Sequence, residues 1–341
     1  MTHVSLEPAF TRHFEDPNDF VPESGSAYIY GETGEPRSAF ANQLRNRNAD
    51  QVLFIRVTET ARGVVEADLI PGAPLSMRSL VDLRKLIETV GRRRVYVDIT
   101  GMAHSVWAPI VKSALAEGMD LRAIYFEPKR YTVSLAEVEK DARRRGETFD
   151  LSETYEKPSP LPLFASLDTT PDDQVLFIPM LGFEGPRFEH ILNEMQASPG
   201  LTYPIIGAPG YLPHYPIDTF VENAQALLKW NIQGNVRHAQ SNCPFSAYYT
   251  IGRISGVEHG RHCRIALLGT KPHALGGVLH AIRNPESSEL VFDHATRKKG
   301  RTEGVSRCLV FGLRAFWDHL DTLEAGPADV PKLRHDGTVL R

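Results

Sequence analysis

Short apolar runs alternate along this chain with longer segments whose apolar residues recur at helical spacing, and the alternation runs through twice. In the first pass Ser26 to Tyr30 reads as a strand. It is followed by the polar turn Gly31-Glu32-Thr33-Gly34-Glu35-Pro36-Arg37 and a helix through about Arg45. Gln51 to Glu59 and Val64 to Ile70 read as strands. Ser76 to Val90 sets Leu80, Leu83, Leu86, Ile87 and Val90 on one helical face, with Ser76 as its N-cap. Val95 to Ile99 is a strand running into Asp98-Ile99-Thr100-Gly101-Met102. A helix from His104 to Glu117 then stops at Gly118, and Leu121 to Glu127 is the next strand. Leu135 to Gly146 reads as a charged surface helix, and Lys157 to Pro162 has the composition of a linker.

The second pass begins with Gln174 to Met180 as a strand, the turn Gly182-Phe183-Glu184-Gly185-Pro186-Arg187, and a helix from Pro186 to Gln196. Strands at Tyr203 to Ile206 and Asn235 to Ala239 alternate with helices at Ile217 to Lys229 and Phe245 to Ile254. Arg264 to Arg283 follows: an apolar strand (Ile265 to Leu268), the turn Gly269-Thr270-Lys271-Pro272-His273, and a helix carrying Pro272 in its first turn. Glu289 to Asp293 is a strand, Lys298-Lys299-Gly300-Arg301 a basic loop, and Ser306 to Gly312 a strand expected to close this second sheet. Strands alternating with helices predict an α/β fold with mostly parallel sheets and helices on both faces. The expected division is an irregular arm over 1–25, one Rossmann-like half over 26–168, a second over 169–323, with the boundary near Asp168 to Asp172, and a loose tail over 324–341.

Two turns match across the halves. Gly31-x-x-Gly34-x-Pro36-Arg37 parallels Gly182-x-x-Gly185-Pro186-Arg187, and Thr100-Gly101 parallels Gly269-Thr270, each after a late strand. The matches in the same order predict an internal duplication. In an open parallel sheet ligands sit outside the carboxyl ends of the strands, so the candidate binding residues are those in the turns. They are Arg37, Thr100 and Gly101 in the first half. In the second they are Gly182, Gly185, Arg187, Asn242, Gly269, Thr270, Lys271 and His273. Arg187 offers a planar fork to phosphate, or a salt bridge to Glu184 or Glu189; Lys271 is expected to be an exposed, mobile cation at a helix N-terminus. His104 and His273 occupy analogous places early in their helices and read as pocket-lining groups, with acid–base chemistry as the alternative. Arg297, Lys298, Lys299 and Arg301 read either as reaching phosphates from their loop or as an ordinary solvated charge run.

Composition narrows this picture. A formal net charge of −4 over 341 residues excludes an extended nucleic-acid surface but leaves room for a local basic pocket. Cys243, Cys263 and Cys308, odd in number and widely spaced, suit a reducing cytoplasm. No apolar run reaches membrane-spanning length, so a soluble, cytoplasmic protein is expected. Neither a metal nor any other cofactor is expected: His259-Gly260-Arg261-His262-Cys263 has no second ligand pair spaced to close a zinc site.

The turn after the first strand and the Gly269-Thr270-Lys271 turn after a late one resemble the CRISPR-associated Rossmann-fold (CARF) domains. Gly269-Thr270-Lys271-Pro272-His273-Ala274-Leu275-Gly276 looks like a shortened form of that family's Thr-Gly-Gly-Thr-Lys motif, and Asp98 to Met102 like its opening half. Two such units in one chain resemble the SAVED domain, over roughly Ser26 to Gly312. The first half has Met102 and Ala103 where the family has its lysine, so an asymmetric binding face is expected. The resemblance implies a ligand-sensing module of a prokaryotic defence system. Such a module binds a phosphorylated nucleotide, cyclic ones included, signals to a separate effector or complex partner, and can self-associate. The alternatives are a metal-independent phosphodiesterase of the ring-nuclease kind and a scaffold subunit with no small ligand.

Overall fold

The computed structural model describes residues 10–135, 147–149, 151–166, 170–258 and 261–325. The chain is a mixed α/β protein built on two large sheets. The first draws on Thr11–Phe14 (β1), Ala27–Tyr30 (β2), Leu53–Ala61 (β3), Val64–Ala67 (β4), Leu75–Ser76 (β5), Val95–Asp98 (β6) and Leu121–Tyr131 (β7). Val133–Leu135 (β8) and Glu147–Phe149 (β9) form a separate hairpin, and Ser152–Thr154 (β10) pairs with a strand late in the chain. The second sheet draws on Ser159–Pro160 (β11), Leu176–Met180 (β12), Ile205–Gly207 (β13), Arg237–Ala239 (β14), Cys263–Leu267 (β15) and Ser288–Phe292 (β16). Thr296–Arg297 (β17) is the partner of β10, and Thr302–Gly312 (β18) is the last strand.

The sheet orders are β1-β18-β7-β6-β2-β3-β4-β5 and β11-β16-β15-β12-β13-β14. In the first, β7-β6-β2-β3 run parallel; in the second, β16 through β14 do. Each parallel run is centred on its first strand. β2 lies between β3 and β6, and β12 lies between β13 and β15. This order sets the turn after the first strand beside the turn after a late strand in both sheets, and glycine lets the two backbones touch. A Cβ on Gly101 would overlap the carbonyl of Gly31, and a Cβ on Gly182 would lie 2.7 Å from the carbonyl oxygen of Leu268. Gly101→Ala is therefore expected to force the two turns apart and lower stability by about 1–3 kcal/mol, read from urea unfolding; an unchanged midpoint would contradict the close approach.

The largest cluster of buried apolar residues draws on both sheets. Its centre is the pair of helices that follow the late turns, His104–Ala116 with Trp107 and Ile110, and Lys271–Arg283 with Leu275 and Val278.

The structure corrects several expectations. Ser306 to Gly312 does not close the second sheet. As part of β18 it pairs antiparallel with β7 and β1 in the first, and the helix after it (Leu313–Ala325) sets Phe316 4.4 Å from Phe245 of the second half. The arm over 1–25 is not wholly irregular, since β1 borders the first sheet and Pro17–Asp19 is a 3-10 turn; residues 1–9 lie outside the described residues. The linker-like Lys157 to Pro162 contains β11, an edge strand where a proline's missing N–H is tolerated. Ser79, not Ser76, caps Leu80–Val90, its hydroxyl accepting from Asp82 N; Ser76 belongs to β5. The turn after β2 passes through a 3-10 segment, Pro36–Ala39, before the helix Phe40–Asn48. The helix expected over Leu135 to Gly146, the Asp168 end of the boundary and residues 326–341 of the tail lie outside the described residues.

Candidate functional site

The carboxyl ends of β12, β13 and β15 face those of β2, β6 and β7 across a cavity between the two sheets. Arg37, Gly182, Arg187, Gly269, Thr270, Lys271 and His273, predicted from their turns, all line it. They are thus brought together, but what each side chain does there differs from expectation.

Lys271 is not an exposed cation. It is buried, and its ammonium donates to the carbonyl of Ile99, to that of Thr100 at 2.6 Å and to that of Met102 at 2.7 Å. Three carbonyl acceptors use all three N–H groups of an ammonium. Burial and the charge of Arg297 push its pKa well down, against Glu35. The carbonyls favour the charged form, and their geometry fits it. Thr270 caps its helix, its hydroxyl accepting from His273 N at 3.3 Å while donating to Ser241 O at 2.6 Å. The Gly269-Thr270-Lys271 turn thus clasps the Thr100-Gly101 turn of the other half.

Arg187 forms the salt bridge to Glu184 at 2.8 Å and also a bidentate pair with the fully buried Asp293, at 2.7 and 2.8 Å. Burial alone would lower its pKa, but the hydrogen bonds and charge of Asp293, with Glu184, raise it. Its fork is committed to protein carboxylates rather than presented to a ligand.

Arg37 enters from the first half. Its Nη1 donates to Tyr125 Oη at 3.1 Å and Phe126 O at 2.7 Å, and its Nη2 to Glu35 at 2.6 Å. Its Nε is buried without a hydrogen-bond partner among the described residues. Glu35 also accepts from Arg301 and lies 3.9 Å from Arg297. Burial would raise its pKa, but Arg37, Arg301 and Arg297 together hold the carboxylate well below the usual range. Three guanidinium groups therefore share one carboxylate. Arg297 is pushed down to about 10 by burial and by the neighbouring cations, Arg301 first, despite Glu35.

His104 and His273 line the same cavity, both buried. His273 places Nε2 3.0 Å from Gln240 O, and Nδ1 has no partner among the described residues; burial lowers its pKa to about 4. The His104 ring packs at a tilt against Phe292, centroids 4.5 Å apart, with both ring nitrogens unpartnered among the described residues. Burial, then Arg297 and Lys271, holds it neutral. Aromatic rings also line the cavity: Tyr125, Tyr131, Tyr211, Tyr215 and Phe183, with the Tyr131 and Tyr211 rings within 13° of parallel at 6.5 Å.

Four candidates do not line this cavity. Gly185 lets its helix pack against the carbonyl of Glu222. Asn242 donates to Glu127 at 3.2 Å. Thr100 presents its carbonyl to Lys271, while its hydroxyl accepts from Phe126 N at 2.9 Å. Gly101 borders an adjoining cleft with Glu35, Arg297 and Lys299. Sequence reasoning missed Glu35, Asp293 and the tyrosines. Asp293 lay at a strand end and Glu35 within the first glycine turn, but nothing local marked either as an arginine partner.

Among the described residues, no three His, Cys, Asp or Glu are grouped to hold a metal, and no helix is long and apolar enough to cross a membrane. His259 of the tempting His-x-x-His-Cys run lies outside the described residues, and Cys263 starts β15. Comparison with protein-family models, with curated proteins and with solved structures found no match, so the functional reading rests on the chemistry of this cavity.

Proposed function

We propose that the protein is a ligand-sensing module whose inter-sheet cavity binds a phosphorylated nucleotide and signals to a separate effector, as in prokaryotic defence systems. The observation that carries this reading is the cluster of Arg37, Arg297 and Arg301 around the single carboxylate of Glu35, opening onto a wall of tyrosines. Guanidinium groups match phosphate oxygens, and aromatic faces stack on bases. The fold reading that goes with it is two Rossmann-like, CARF-like units related by duplication. The shared place of β2 and β12, and the glycine contacts at Gly101 and Gly182, support it.

Both halves supply walls of the cavity, so a ligand that prefers one spacing of the halves shifts their packing, and such a shift is a signal. The cavity measures about 80 Å³. A single water needs about 10–15 Å³ on this scale, so any nucleotide, linear or cyclic, enters with the walls parting. The ring-nuclease alternative relied on Lys271 and Thr270 to stabilise charge. Both are committed to backbone groups, which favours retention of the ligand over cleavage. The test is titration of the full chain with mononucleotides and cyclic oligonucleotides, with the recovered ligand analysed for cleavage. Binding with intact ligand is expected. Cleavage would favour the phosphodiesterase, and indifference to every anion the scaffold.

A further inference from the structure

The charges of the cavity are unevenly distributed. At the Arg187 end one guanidinium faces two carboxylates, Asp293 and Glu184, and every one of those groups is hydrogen-bonded. At the Glu35 end three guanidiniums face one carboxylate, an excess of two positive charges before the Lys271 ammonium is counted. Several donors there are uncommitted among the described residues. Among the described residues Arg37 Nε is buried without a partner, and the carboxylate nearest Arg297 is Glu35, at 3.9 Å, beyond hydrogen-bond distance. Arg37 is 2% exposed and the Arg301 side chain 13%, so solvent screens this excess poorly. A partly buried cationic excess is unfavourable until an anion of matching charge enters.

We infer that the group bound at the Glu35 end is a dianion, a phosphate monoester such as the terminal phosphate of a linear nucleotide, rather than the singly charged phosphodiester of a closed ring. This rests on the reading of the cavity as a nucleotide site and narrows it. A monoester presents terminal oxygens to Arg37 and Arg297 at once and neutralises the excess. One diester has fewer terminal oxygens and leaves a positive charge unmatched. The tyrosines around Tyr131 and Tyr211 then face the remainder of the ligand.

The test is calorimetric titration of the full chain with inorganic phosphate, adenosine 5′-monophosphate, adenosine 3′,5′-cyclic monophosphate and a cyclic diadenylate. The monophosphate is expected to bind at least about tenfold more tightly than either diester, with inorganic phosphate binding detectably and competing with it. Arg297→Gln should weaken the monophosphate about tenfold. Glu35→Gln should tighten it several-fold even though it lowers the melting temperature, a change of opposite sign that a purely structural Glu35 would not give. Diesters binding as tightly as the monophosphate would overturn the dianion assignment and leave the nucleotide site standing. No binding of any of these anions would overturn both.

Discussion

Lys271→Ala is expected to lower the unfolding free energy by about 3–5 kcal/mol, the range for removing one partner from a buried charged network. The side chain is 5% exposed, and its loss strands the carbonyls of Ile99, Thr100 and Met102, which lie in the opposite half. Each orphaned polar group adds a desolvation penalty of about 1–3 kcal/mol, and removal of the four-carbon stem leaves a void. Lys271→Met separates these contributions: it retains most of the stem and loses only the donors, so the difference between the two variants measures packing. Urea unfolding of both beside the wild type gives the values. A midpoint within error of wild type for Lys271→Ala would show that the clasp between the two late turns contributes nothing. Anion binding measured on the folded fraction should fall less than in Arg297→Gln, because every Lys271 donor is already engaged.

This reverses what the sequence suggested for the same residue. Strand, glycine turn and Pro272 in the first helical turn were all legible, because each follows from local dihedral requirements. The direction of the lysine was not. Its acceptors lie about 170 residues earlier in the chain. No periodicity links them, and an exposed ammonium at a helix N-terminus is the default in their absence. The glycine pairs fared better, since Gly31 against Gly101 and Gly182 against Leu268 are backbone contacts that only glycine allows at Gly101 and Gly182. Those contacts left a signature in residue type. Strand order was legible only within each βα run. Thr302–Gly312 has the composition of a strand, but nothing in it selects the edge of β7 over that of the second sheet; the antiparallel register from Thr302 to Gly312 is a tertiary choice. The tyrosine wall was illegible for the same reason. Tyr125 and Tyr131 sit on β7, Tyr211 and Tyr215 follow β13, and only the facing of the two sheets joins them.

Arg187→Met is expected to be as damaging as the loss of Lys271, through the opposite imbalance. The guanidinium holds Asp293, which is fully buried, and Glu184, which also accepts from Ser152 Oγ at 2.9 Å and Leu151 N at 3.2 Å. Glu184 retains those two donors when Arg187 is replaced. Asp293 loses a bidentate partner and faces an apolar thioether instead. An unpaired carboxylate at that depth destabilises by about 3–5 kcal/mol. Asp293→Asn alone should also destabilise, because an amide cannot reproduce the two acceptors that the fork requires. The double variant removes both charges, so it should be more stable than the sum of the single losses predicts, by about 1–3 kcal/mol. Additive losses would mean that Arg187 and Asp293 act through separate contacts, contrary to their hydrogen bonds. The cycle also separates the two ends of the cavity. A structural Arg187 moves the unfolding midpoint, with anion affinity changing less than in Arg297→Gln. The partly paired Arg297 moves the affinity while the midpoint stays near that of wild type. The same residue type, lining the same cavity, divides into a structural and a binding role according to how many carboxylates the fold has already placed against it.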